Sequence, residues 1–195
     1  MPRYEITRDD LMNLADYANI RKQKRHELSI IKKNRRVEIG PVATAYFESY
    51  DTMWWQVQEM LYIEKGGEDQ IADELAAYNP LIPKGRELVA TVMFEIDDEI
   101  RRRNFLNRLG GVEETMFFEF SGETVTGVPE EDLDRTSSDG KASSVQFIHF
   151  PFSDDQAKAF RSADGQVMIG FRHIEYPHMC VLQDTVRATL AADFA

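Results

Sequence analysis

Hydrophobic positions follow two rhythms along the chain. Up to Tyr78 they recur mostly every three to four residues, and from Leu88 onward they mostly alternate. Leu11, Leu14, Tyr17, Ala18 and Ile20 share a helical spacing that Leu28 and Ile31 continue, which predicts one or two helices over 8–34. Thr7 is placed to cap them, and Asp9 and Asp10 suit a first turn. Gly40-Pro41 then breaks the chain. VATAYF (42–47), rich in β-branched and aromatic residues, reads as a strand. A helix from Thr52 to Glu64 follows, stopped by Gly66-Gly67, and another runs from Gln70 to Tyr78. Asn79-Pro80 closes it, because a residue before proline avoids helical angles.

Strands dominate the rest: 88–96, 115–122, 124–128, 144–152, 167–174 and 179–183. Asp97 to Leu109 reads as a helix with Ile100, Phe105 and Leu109 on its buried side, and Gln183 to Phe194 as a closing helix. Residues 127–144 form a polar, acidic loop expected to be the mobile segment. Strands this close in sequence favour antiparallel pairing. The expected fold class is α+β: a mainly antiparallel β-sheet or sandwich with N-terminal and mid-chain helices packed on it. One domain over 1–195 is expected, with a helical segment at 8–34 and an α/β core at 42–194.

Composition narrows the setting. A chain of 195 residues can bury roughly 70% of its extended surface without covalent staples. The single cysteine, Cys180, excludes an internal disulfide and suits a reducing compartment. With a charged N-terminus and no apolar run long enough for a membrane span, a cytoplasmic protein is expected. The net charge of −11 is unevenly placed. Residues 20–36 hold eight Lys/Arg against one Glu, leaving 15 of the 23 basic and 33 of the 34 acidic side chains elsewhere. An acidic body argues against nucleic acid as a partner. The basic stretch is either a solvated helix face or a local anion or partner site.

The 52–64 helix carries two stripes. Met53, Trp54, Val57, Met60 and Leu61 form a core stripe. Asp51, Trp55, Gln58 and Tyr62 share another side, with Glu59 at its edge. Flat apolar area with a few directional polar groups is the make-up of a ligand-facing wall. The same residues also suit a second packing face, with Asp51 capping the helix and the polar tips of Trp55 and Tyr62 satisfied.

The histidines offer a different chemistry. His173 and Glu175 fall on one side of a predicted strand, His178 follows in a turn, and His149 lies in another strand. With Glu59 or Glu175 they would bind a divalent metal such as zinc or iron if three side chains converged. Their spacing matches no familiar ligand pattern, so satisfied structural histidines are the competing expectation. Dinucleotide, P-loop and hydrolase-elbow motifs are absent, and no cofactor is evident. Cys180 reads as an inert thiol.

A set of fragments carries a resemblance. KKNRRVEIGP, FES-DT, QEM, AYNPLIP, L-AT-MFE, V-FIHF and YPH, in this order and spacing, resemble the bacterial domain-of-unknown-function family numbered 3501 over about residues 3–193. The matching positions are Arg36, Glu48, Asp51, Thr52, Gln58, Glu59, Asn79 and His178; Trp55 lies outside the pattern. The resemblance assigns no catalytic residue. It implies an association with rubrerythrin-like and iron–sulfur proteins, hence with redox or oxidative-stress systems. Together these readings favour a ligand- or partner-binding accessory protein using Asp51, Gln58 and Glu59, with Trp55, Tyr62 and Arg36 as further candidate binding residues. A metal-dependent enzyme is the alternative.

Overall fold

Two antiparallel sheets face each other across an aromatic core. The computed structural model describes residues 3–130, 136–137, 140–162 and 165–195. One sheet has the order β1 (Arg36–Ile39), β2 (Ala43–Phe47), β3 (Glu87–Phe94), β7 (Val145–Pro151) and β6 (Val128–Pro129). The other has β5 (Glu123–Thr126), β4 (Met116–Phe120), β8 (Met168–Phe171) and β9 (Met179–Val181). Every pairing is antiparallel. The α+β sandwich expected from the alternating half of the chain is therefore the fold.

Period-two alternation sorts the side chains. Ala43, Ala45 and Phe47, Leu88 to Phe94 at every second position, and Ile148 and Phe150 point inward. They meet Met116, Phe118, Phe120, Ile169 and Phe171 of the facing sheet. Phe118 and Phe150 pack edge-to-face with ring centroids 4.8 Å apart, an arrangement that adds roughly 1 kcal/mol to the burial itself. The outward set of the first sheet (Thr44, Tyr46, Val89, Thr91, Met93, Phe147 and His149) is partly covered by helices. α2 (Tyr50–Glu64) and α3 (Gly67–Tyr78) lie there, and Met53, Val57 and Leu61 join Leu81, Ile82 and Val89 in a second apolar cluster. The long helix α1 (Leu14–Lys33) packs on α2.

Several elements differ from the expectations. Thr7 caps only a short turn over Arg8–Asp10, and α1 starts at Leu14 behind Asn13, whose side chain accepts from Asp16 N at 2.9 Å. The chain between them is held on α2, as Met12 N donates to Gln58 Oε1 at 2.6 Å. Strand β1 follows directly on the basic run, and its two buried positions, Val37 and Ile39, are too few to mark a strand in the sequence. α4 (Glu99–Leu106) leaves Ile100 exposed and buries Leu106, with Leu109 beyond its end. The polar loop expected over 127–144 contributes β6 and a Thr136–Ala142 bridge; its residues 131–135 and 138–139 lie outside the described residues. α5 (Asp154–Ser162) was not anticipated, and α6 (Asp184–Ala191) closes the fold.

The turn between β1 and β2 shows why Gly40 is there. Its φ is +70, and a Cβ would come within 2.6 Å of the His178 ring. Into this turn Tyr176 inserts its phenol, donating to Ile39 O at 2.7 Å and accepting from Ala43 N at 3.1 Å. Burial pushes the Tyr176 phenol above its usual value.

Candidate functional site

The second stripe of α2 faces α1. Gln58 is fully buried, with its amide paired to the backbone N–H and C=O of Met12. Asn79 does the same for Ile6, accepting at 2.8 Å and donating at 3.0 Å. These two amides hold the N-terminal segment in place. Glu59 Oε1 accepts from the Tyr17 phenol at 2.6 Å and from Arg21 Nε at 2.7 Å, while Oε2 accepts from Arg21 Nη2 at 2.7 Å. The Arg21 fork holds the Glu59 carboxyl below the usual range, against the cost of burial. Burial and that same carboxylate push the Tyr17 phenol well up. Tyr62 packs edge-on to Tyr17 at 5.9 Å, beneath the Arg21 guanidinium at 4.8 Å. The stripe is thus brought together as a packing face, which departs from the wall open to a ligand. Polar side chains at helical spacing report an interface without saying with what.

The remaining predicted residues scatter. Ser49, in place of Asp51, caps α2, accepting from Thr52 N at 3.3 Å. Asp51 is exposed in an open hollow of about 450 Å³ that it shares with Arg3, Asn34 and Asp193. Trp55 has Lys32 Nζ 5.4 Å from its ring, and its indole N–H is buried with no partner among the described residues. Arg36 is exposed, pairs with Glu38 at 3.0 Å and lies 5.7 Å over the Tyr46 ring.

Each histidine has its own neighbours. His149 stands between two carboxylates, Nδ1 at 3.0 Å from Glu87 and Nε2 at 2.7 Å from Glu130. Burial disfavours its charge, but the two carboxylates outweigh that and raise its pKa. His173 Nε2 faces Gly110 O at 3.1 Å, and its Nδ1 accepts from Glu175 N at 3.2 Å. The Glu175 carboxylate is 3.5 Å from Arg108. His178 packs on Tyr176 with centroids 4.4 Å apart. The set His149, His173, Glu175 and His178 is not gathered, and among the described residues no three His, Cys, Asp or Glu are grouped to hold a metal. Local turn and sheet contacts occupy these side chains separately.

A different site emerges where the helices stop covering the first sheet. A cleft of about 370 Å³ lies over its outer face, between Tyr46, Thr91 and Phe147 on the strands and Met53, Gln56 and Tyr78 on or at the ends of the helices. Glu48 lines it and is 7% exposed. One Glu48 oxygen accepts from Thr91 Oγ1 at 2.7 Å and the other from Thr52 Oγ1 at 2.6 Å. No cation joins them among the described residues: Arg35 donates to the main-chain oxygen of Glu48 and pairs its fork with Asp193. Gln56 Nε2 donates to the Tyr78 phenol at 3.4 Å on the helical side. Tyr46, raised in pKa by burial and then by its bond to Glu95, walls the strand side. Lys32 of α1 completes the lining. Glu48 and Thr52 were among the positions matching the family pattern, yet periodicity did not single them out. The available signal was that Glu48 continues the outward alternation Thr44, Tyr46 beyond the end of β2.

A family model described as "Protein of unknown function (DUF3501)" matches residues 5–194. The chain belongs to this family. No curated protein matches it. This DUF3501 chain is also similar to a crystal structure described as a novel protein of unknown function from Burkholderia pseudomallei K96243. The two share 36% identity over 97% of this chain and 99% of that one, with a TM-score of 0.89. Among the described residues of this DUF3501 chain, no helix is long and apolar enough to cross a membrane.

Proposed function

We propose that this protein is an accessory binding protein whose cleft over the five-stranded sheet takes a small ligand bearing a cationic group. The observation that carries the reading is Glu48. A carboxylate this buried costs several kcal/mol to desolvate unless it is matched by a cation, and two threonine hydroxyls bring dipoles but no charge. A ligand ammonium would supply the missing charge. Tyr46, Tyr78 and Phe147 would add cation–π attraction of roughly 0.5–2 kcal/mol, and the cleft volume falls in the range of small-molecule sites. On this reading the binding surface is the cleft beside the α2 stripe.

The test is an NMR titration of the protein with phenethylamine and with its uncharged analogue 2-phenylethanol. Shifts confined to the cleft residues for the amine, weak for the alcohol and lost in Glu48→Gln, are expected. Equal response to amine and alcohol, or none to either, overturns the reading. The family resemblance directs the accessory role toward redox systems, which makes rubrerythrin-like and iron–sulfur proteins the first partners to try in pull-downs.

A further inference from the structure

Resting on the cleft reading above, we infer that the natural ligand is a zwitterion: its ammonium meets Glu48 and its anionic group meets Lys32. Both side chains line the same cleft, and each lacks an opposite charge among the described residues. Lys32 sits on the last turn of α1, half-buried, with the Trp55 ring under its ammonium at 5.4 Å as the one specific contact of its side chain among the described residues. Among the described residues it forms no ion pair, unlike Lys24, which is held by Glu27 at 2.9 Å.

The chemistry of the lining separates the two poles. A buried carboxylate backed by hydroxyls accepts an ammonium and repels an anion. A lysine ammonium poised over an aromatic ring on a flexible stem offers three donors to a carboxylate and can adjust its reach. A purely cationic ligand would meet Glu48 favourably and Lys32 unfavourably. A ligand with both charges satisfies each, and its body has Tyr46, Tyr78, Met53 and Phe147 to lie against. Trp55 and Arg36 then act at one remove: Trp55 steadies the Lys32 ammonium, and Arg36 lies over the outside of the Tyr46 ring. Lys32 also stands in the most basic stretch of an otherwise acidic chain, so an anionic group approaches the site most readily from that side.

The experiment is an NMR titration series on the full chain. Phenylalanine and the straight-chain ω-amino acids of three to six carbons are compared with phenethylamine, n-alkylamines and n-alkylcarboxylates of matching length. In the wild type at least one zwitterion is expected to bind at least tenfold more tightly than its matched amine. Lys32→Met should abolish that preference and raise amine affinity, because the like charge is gone, and Glu48→Gln should weaken amines and zwitterions alike. Amines that bind as tightly as every zwitterion overturn the inference but leave the cationic cleft standing. So does a zwitterion preference that survives Lys32→Met. Absence of binding by all probes overturns both. Wild-type resonance positions away from the cleft in the unliganded variants separate lost recognition from lost structure.

Discussion

Two glutamates near α2 are buried to the same extent, 7% exposed each, and have opposite surroundings. Glu59 receives a bidentate Arg21 fork and a phenol, a fully matched network that joins α2 to α1. Glu48 receives two hydroxyls and opens onto a cleft. Burial alone does not separate structural from functional carboxylates; whether the charge is already matched does. A matched one stabilises the fold when present and costs heavily when broken. An unmatched one is tolerated at the expense of stability, as is common where a site must hold charge for something that arrives later.

Breaking the matched side has the largest expected effect. Glu59→Leu leaves the Tyr17 phenol and Arg21 without their acceptor and should cost about 3 kcal/mol in urea denaturation; a loss under about 1 kcal/mol would mean that the network is slack. Next comes Gln58→Leu, which orphans the Met12 N–H and C=O and should cost about 1–3 kcal/mol. Native-state hydrogen exchange should show residues 6–13 opening first, and uniform loss of protection would contradict the tether.

His149 sharpens the comparison with pH. Its folded pKa is raised, so its contribution to stability is complete below the ordinary histidine value and is lost as pH rises through the raised one. The stability gap between wild type and His149→Phe should therefore be wider at pH 5.5 than at pH 8.5. A gap that is constant, or that widens with pH, would show the two flanking carboxylates do not act together. The smallest effects are expected at the exposed Asp51, where Asp51→Asn should change stability by less than about 0.5 kcal/mol because Ser49 caps the helix.

Much of the fold was legible because alternation and helical spacing are consequences of which face is buried. β2, β3, β7 and α2 follow directly from such patterns. β1 was lost because two buried positions between charges are too few for a period. α5 was missed although its start is a capping box, with Ser153 N donating to Gln156 Oε1 and Gln156 N to Ser153 Oγ. The candidate site was harder for a physical reason. Spacing along one helix groups Gln58, Glu59 and Tyr62 correctly, yet their partners Met12, Tyr17 and Arg21 lie on a segment whose docking no local pattern reveals. The cleft joins Lys32, Glu48, Tyr78, Thr91 and Phe147, residues from five stretches of chain, and only the folded sheet brings them together.

The most direct measurement is urea denaturation of wild type, Glu48→Gln and Glu59→Gln, each with and without phenethylamine at ten times its wild-type Kd. Glu59→Gln should lose stability and Glu48→Gln should stay within about 1 kcal/mol of wild type or exceed it. The amine should add about 1.4 kcal/mol to wild type and Glu59→Gln and nothing to Glu48→Gln. Equal losses in the two variants, with amine stabilisation intact in Glu48→Gln, would contradict the distinction between a matched carboxylate and one that awaits its cation.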